Sequence, residues 1–131
     1  MAHAIHNYDG ACKNIHGHSY ELHVTVSDSS SSDQAIPGLG IIIDFKDLKK
    51  IVNSAVIDQL DHRLVLSKEY IAAHANLMIP EHTMVWDYEP TAENILFYIK
   101  EAIKNLFPIN VKLLSLKLYE TKSSYAEWNN Y

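Results

Sequence analysis

The chain is poor in the residues that would commit it to several common protein classes. Cys12 is its single cysteine, so an intramolecular disulfide and a zinc site built on several cysteines are both excluded. A reducing compartment fits that usage. Positive charge is also scarce: 11 basic residues face 16 acidic ones for a formal charge of -5, which opposes nonspecific attraction to nucleic acid or to anionic membranes. A polyanionic ligand would need a local basic pocket. No stretch approaches the roughly 20 apolar residues of a membrane helix, and no basic segment followed by an apolar run opens the chain. A cytoplasmic protein is expected. With 131 residues and 47% hydrophobic content, the chain can bury one modest core and is short for two domains, so one domain spanning 1–131 is expected. There is no internal repeat, and the serine run at 29–32 is the sole low-complexity piece.

Histidine, in contrast, is plentiful. The eight residues are scattered and do not form the tract that a purification tag leaves, so each must be weighed by its position. From 18 to 27, Tyr20, Leu22, Val24 and Val26 alternate with polar residues, which predicts a half-buried strand. Residues 28–40, with their serines, Pro37, Gly38 and Gly40, predict a mobile surface loop. Asp44 can cap a helix whose stripe is Phe45, Leu48, Ile51, Val52, Ala55 and Val56. Thr91 can cap a second, with Ile95, Ile99, Ala102, Ile103 and Leu106 on one face until Pro108 stops it. Between them, 66–89 reads as a helical turn around 70–77, a break at Pro80 and an extended piece over 83–86. The tail alternates again: Leu114, Leu116, Leu118 and Glu120 share one face, and a second extended run over 125–131 makes a hairpin plausible. This order predicts an α+β fold, an antiparallel sheet covered on one side by helices. Its exposed edges predict subunits that complete one another's sheets.

The segment Cys12-Lys13-Asn14-Ile15-His16-Gly17-His18 carries most of the chemistry. His16 and His18 stand two apart at the entry to a strand, where a period of two puts both rings on one face. A third imidazole, from His3 or His6, would complete the three-histidine set of a catalytic zinc site with one position open. The alternative is a pair of ordinary turn and strand residues, and His-x-His by itself does not choose between them. Cys12 alone is more often a small buried residue than a reactive one, but a nearby zinc ion favours its thiolate. Asp61-His62 pairs a carboxylate with an imidazole, or merely ends a helix. Glu120 continues an apolar face and points inward unless the strand ends first. Its partner is then a guanidine-like ligand edge, a salt bridge or water.

Ala2-His3, Cys12 with His16-Gly17-His18, Asp44-Phe45, Leu60-Asp61-His62, Pro90-Thr91-Ala92-Glu93-Asn94 and Glu120-Thr121 together resemble the 6-pyruvoyl-tetrahydropterin synthase family. These blocks come in the family's order and span nearly the whole chain. The resemblance implies a tunnelling fold (T-fold): a four-stranded antiparallel sheet with two helices on one face, trimers forming a barrel, and two trimers stacking into a homohexamer with active sites between subunits. It implies a Zn2+ cofactor held by His3, His16 and His18, a catalytic set of Cys12, Asp61 and His62, and Glu120 as pterin anchor, with Thr91 and Glu93 lining the same pocket. Cys12 precedes His16 by four, as in the bacterial 6-carboxy-tetrahydropterin synthases of queuosine and deazapurine biosynthesis. The expected reaction therefore converts 7,8-dihydroneopterin triphosphate to 6-carboxy-5,6,7,8-tetrahydropterin, releasing acetaldehyde and triphosphate. Rival readings are a 6-pyruvoyl-tetrahydropterin synthase, which only eliminates triphosphate, and a zinc- or pterin-binding module without turnover. The expected partners are a small pterin substrate and further copies of the chain, with neither nucleic acid nor membrane. The family has a first strand of roughly ten residues ahead of the His3 motif. Here only Met1 and Ala2 precede it, so a shortened first strand is expected.

Overall fold

A computed structural model describes residues 1–30 and 34–131. The loop expected over 28–40 therefore falls partly, at 31–33, outside the described residues. Along the chain run β1 (Ala2–His3), β2 (His16–Gly17), β3 (Glu21–Asp28), α1 (Phe45–Val52), α2 (Asp58–Leu60) and β4 (Leu64–Ser67). They are followed by α3 (Lys68–Ala73), β5 (Thr83–Trp86), α4 (Ala92–Ile103), β6 (Val111–Tyr119) and β7 (Tyr125–Asn129).

The alternating segments form an antiparallel sheet in the order β3-β6-β7, and helices cover one face of it. Asp44 Oδ1 accepts from the Lys46 N–H at 2.7 Å and starts α1, which continues through a π-helical turn at Asn53–Ile57 into α2. Within that turn the Ser54 hydroxyl donates to the Lys50 carbonyl at 2.7 Å. Thr91 caps α4 as expected, its Oγ1 accepting from the Asn94 N–H. Val56 and Leu60 from the first helical segment and Ile95, Leu96, Ile99 and Ile103 from α4 close on Leu113, Leu116, Leu118 and Ala126 of the sheet. Each such aliphatic side chain stabilises the fold by about 1.5–3 kcal/mol relative to exposure.

The α+β class with helices on one face is as expected, but the strands are distributed differently. The antiparallel sheet has three strands among the described residues, and the four-stranded sheet, β2-β1-β4-β5, is mixed: β1 meets β2 antiparallel, whereas β1/β4 and β4/β5 are parallel. The β4 strand escaped a search for alternation because Val65, Leu66 and Ser67 are all buried, and strands covered on both faces read as continuous apolar runs. The helix expected around 70–77 begins earlier, at Lys68, because Ser67 Oγ caps it by accepting from the Tyr70 N–H at 2.9 Å.

Leu114 also differs. Thr25 pairs with Ser115 but Val26 pairs with Leu113, so a bulge leaves Leu114 without a partner. The inward face accordingly changes phase: Leu113 is buried while Leu114 is 42% exposed. Leu116 and Leu118 point inward as expected, with Glu120 next on their face. The first helical stripe is incompletely covered. Nothing in α1 is buried, and Phe45 is 78% exposed. Among the described residues, no helix is long and apolar enough to cross a membrane.

Candidate metal centre

Pairing of β1 with β2 sets His3 opposite His16, and the extended chain brings His18 to the same place two residues on. The ring centroids of His3, His16 and His18 lie 4.6, 5.5 and 4.9 Å apart, and one nitrogen from each falls within 4.8 Å of the others. Gly17 separates His16 from His18 in sequence, and a Cβ there would meet the Met1 carbonyl oxygen at 3.4 Å, an ordinary van der Waals contact, so space does not demand glycine at this position.

Backbone carbonyls orient two of the rings. His3 Nδ1 lies 2.6 Å from the Pro90 carbonyl oxygen, and His16 Nδ1 lies 2.8 Å from that of Asn14. A carbonyl only accepts, so each Nδ1 carries the proton and each Nε2 keeps its lone pair, the arrangement typical of metal-binding histidines. His18 Nε2 is buried with no hydrogen-bond partner among the described residues, a costly state unless something binds there. Burial lowers the His3 pKa, outweighing the opposing effects of the Pro90 carbonyl and Glu120, and so favours the neutral ring. Three imidazoles that each offer a nitrogen to one point fit a zinc ion with one open position. His6, the alternative third ring, is outside this cluster; its backbone N–H donates to Glu89 Oε2 at 2.8 Å.

Glu120 reaches the cluster from the end of β6. Its Oε1 accepts from the Tyr20 hydroxyl at 3.0 Å and lies 3.3 Å from His3 Nε2 and 3.6 Å from His18 Nε2. Tyr20 was missed as a site residue. Its signal was present: it continues the two-residue repeat of His16 and His18, which had been read only as an apolar position. Burial first, then the charge and hydrogen bond of Glu120, raise the Tyr20 pKa far above the usual phenol range, so it remains a donor.

The other expected site residues are spread more widely. Cys12 occupies a 3-10 turn, Ala11–Lys13, with its side chain half-buried and its carbonyl accepting from the Ile5 N–H at 2.9 Å. Asp61 and His62 follow α2. The His62 side chain is 94% exposed, its Nε2 lies 3.6 Å from Asp61 Oδ2, and its backbone sits at φ +57°. That left-handed conformation costs a residue with a Cβ about 1 kcal/mol or more, and such strain gathers at functional sites. Asp61, His62 and Arg63 line an open cavity of about 760 Å³ together with His18, Tyr20 and His82, over an apolar floor that includes Ile95, Ile99 and Leu118. Among the described residues, no hydrogen bond or ion pair joins Cys12 to Asp61 or His62. Thr91 follows the Pro90 carbonyl that orients His3, but Glu93 lines a separate groove with Lys100 and Trp128. One chain does not bring Glu93 to Glu120.

The family model described as 6-pyruvoyl tetrahydropterin synthase matches residues 1–130. The chain belongs to that family. A 6-carboxy-5,6,7,8-tetrahydropterin synthase from Haemophilus influenzae is 32% identical, with 98% of this chain and 91% of the relative covered. The enzyme of the same name from Rickettsia typhi is 30% identical, with coverage of 95% and 90%. These relatives set the chain nearer the 6-carboxy side of the 6-pyruvoyl tetrahydropterin synthase family. The structure of Caenorhabditis elegans 6-pyruvoyl tetrahydropterin synthase superposes with a TM-score of 0.70 at 23% identity, covering 99% of this chain and 88% of that one. The architecture is therefore the T-fold of the family.

Proposed function

We propose that this protein is a zinc-dependent lyase that converts 7,8-dihydroneopterin triphosphate and one water molecule to 6-carboxy-5,6,7,8-tetrahydropterin, acetaldehyde and triphosphate, in queuosine or deazapurine biosynthesis in the cytoplasm. The observation carrying this reading is the convergence of three histidine nitrogens beside Glu120, in a chain whose relatives bear the 6-carboxy name.

His3, His16 and His18 would hold the zinc ion. Bound there, zinc supplies Lewis acidity that makes the substrate's side-chain hydroxyls easier to deprotonate. Cys12, as thiolate, takes a proton from the substrate side chain. His62, oriented by Asp61, returns one. Glu120 accepts two parallel N–H bonds from the pterin's guanidine-like edge, and Thr91 lines the pterin pocket, to which a neighbouring subunit would have to bring Glu93. Since no hydrogen bond or ion pair joins Cys12 to Asp61 or His62 among the described residues, the reading includes a homo-oligomer, a hexamer of two trimers, with each site shared between subunits. Exposed Phe45 and the free edges of β3 and β7 support such an assembly.

The test is to incubate zinc-loaded protein with 7,8-dihydroneopterin triphosphate, identify the pterin by mass spectrometry and assay acetaldehyde. The expected result is 6-carboxy-tetrahydropterin with acetaldehyde. A 6-pyruvoyl product without acetaldehyde would move the protein to the other branch, and persistent substrate would leave a binding module.

A further inference from the structure

Glu120 stands where a metal ligand would stand. His3 Nδ1 donates to the Pro90 carbonyl, so His3 Nε2 presents a lone pair, yet the Glu120 carboxylate oxygen faces it at 3.3 Å. Two acceptors that close repel one another unless a proton or a metal ion lies between them. Buried His18 Nε2, without a hydrogen-bond partner, faces the same oxygen at 3.6 Å. Ligands held at about 2.0–2.1 Å around a tetrahedral ion lie roughly 3.3–3.4 Å from one another, so Glu120 Oε1 is close to the spacing of a fourth ligand. Tyr20 maintains that position, its hydroxyl 3.0 Å from Glu120 Oε1 and 3.4 Å from His3 Nε2.

We propose that Glu120 closes the fourth position of the metal site when no pterin is bound, and that Tyr20 is the positioning residue that holds it there. This rests on the proposed metal site and on Glu120 as pterin anchor. The same carboxylate cannot serve both partners at once. Pterin binding therefore draws Glu120 away from the metal and opens the fourth position as the substrate side chain arrives. A metal site that stays closed until the pterin ring is recognised would spare the open ion from adventitious ligands.

Cobalt(II) loading tests this directly, because its visible absorption reports the ligand set without turnover. In Glu120→Gln, the spectrum should change and cobalt affinity should fall about 10- to 100-fold, the range seen when groups supporting a metal site are removed. Tyr20→Phe should shift both in the same direction by less. Adding 7,8-dihydroneopterin, which lacks the triphosphate, should move the wild-type spectrum toward that of Glu120→Gln and leave the variant's spectrum unchanged. Wild-type spectrum and affinity in Glu120→Gln would overturn the proposal. If Glu120→Gln fails to fold, Tyr20→Phe and the wild-type response to 7,8-dihydroneopterin decide the matter, and no change in either overturns it. A wild-type protein that binds no cobalt overturns this inference and the metal reading together. Cobalt binding with the expected shifts, but no turnover of the triphosphate, upholds this inference and removes only the proposed reaction.

Discussion

The histidine cluster and the Asp61-His62 corner are the two ends of the proposed chemistry, and the fold treats them in opposite ways. His3 is 1% exposed, and backbone carbonyls orient both it and His16. His62 is 94% exposed, held in a left-handed conformation, with Asp61 Oδ2 3.6 Å from its Nε2. The contrast shows what one chain can complete by itself. The three histidines proposed as metal ligands are brought together by short strands that are adjacent in the sheet. The pair proposed for proton transfer is presented at the surface, beside the open cavity.

The strongest way to break that comparison is complementation. Cys12→Ala and His62→Ala should each lower turnover by about 100- to 10,000-fold while Cys12→Ala keeps its zinc. Co-refolding the two inactive proteins should then restore activity, up to roughly a quarter of wild type if each site draws one group from each of two subunits. A mixture as inactive as its components would place both groups in one chain. The second effect in size concerns the completed end: His16→Ala should weaken zinc binding by at least about 100-fold and abolish activity, as followed by metal analysis after dialysis. Stoichiometric zinc in that variant would remove His16 from the ligand set.

A smaller effect separates scaffold from chemistry. Leu116→Ala, in the core beneath the strand that ends at Glu120, should cost about 2–5 kcal/mol in urea unfolding, while the folded fraction still binds metal. The smallest effect is the most informative about the exposed corner. His62→Gly relieves the left-handed backbone and should leave stability unchanged or raised by up to about 1 kcal/mol, with activity lost. A clear loss of stability would mean that His62 packs against something, and the contrast between the two ends would fail.

Much of this molecule was legible along the chain. The caps at Asp44 and Thr91 rest on local backbone chemistry and lie where their residue types point, whereas the α4 stripe holds only through Ile103: the helix ends there, short of Pro108, and Leu106, expected on the same face, is 50% exposed. Glu120 continues the Leu116 and Leu118 alternation and is expected to face inward unless the strand ends first; β6 ends at Tyr119, yet the carboxylate, 22% exposed, still meets the Tyr20 hydroxyl. The failures share a cause as well. Leu114 turned outward because a bulge opposite Thr25 and Val26 shifted the phase, and a bulge depends on the partner strand. The β4 strand is hidden because burial on both faces erases alternation, and Tyr20 reads as core because a half-buried tyrosine looks the same until its hydroxyl finds a partner.

The sequence by itself determined the residue types, the His16-Gly17-His18 spacing, the helix starts and the family, because these depend on neighbours a few positions apart or on the order of short blocks. Tertiary structure brought His3, which the family resemblance already favoured over His6, to the pair, and it alone decided that Pro90 and Asn14 orient the rings and that Tyr20 holds Glu120 against them. Those contacts link positions as far apart as 3 and 90 or 20 and 120, and only the pairing of strands and the burial that accompanies it can bring such residues within hydrogen-bond distance.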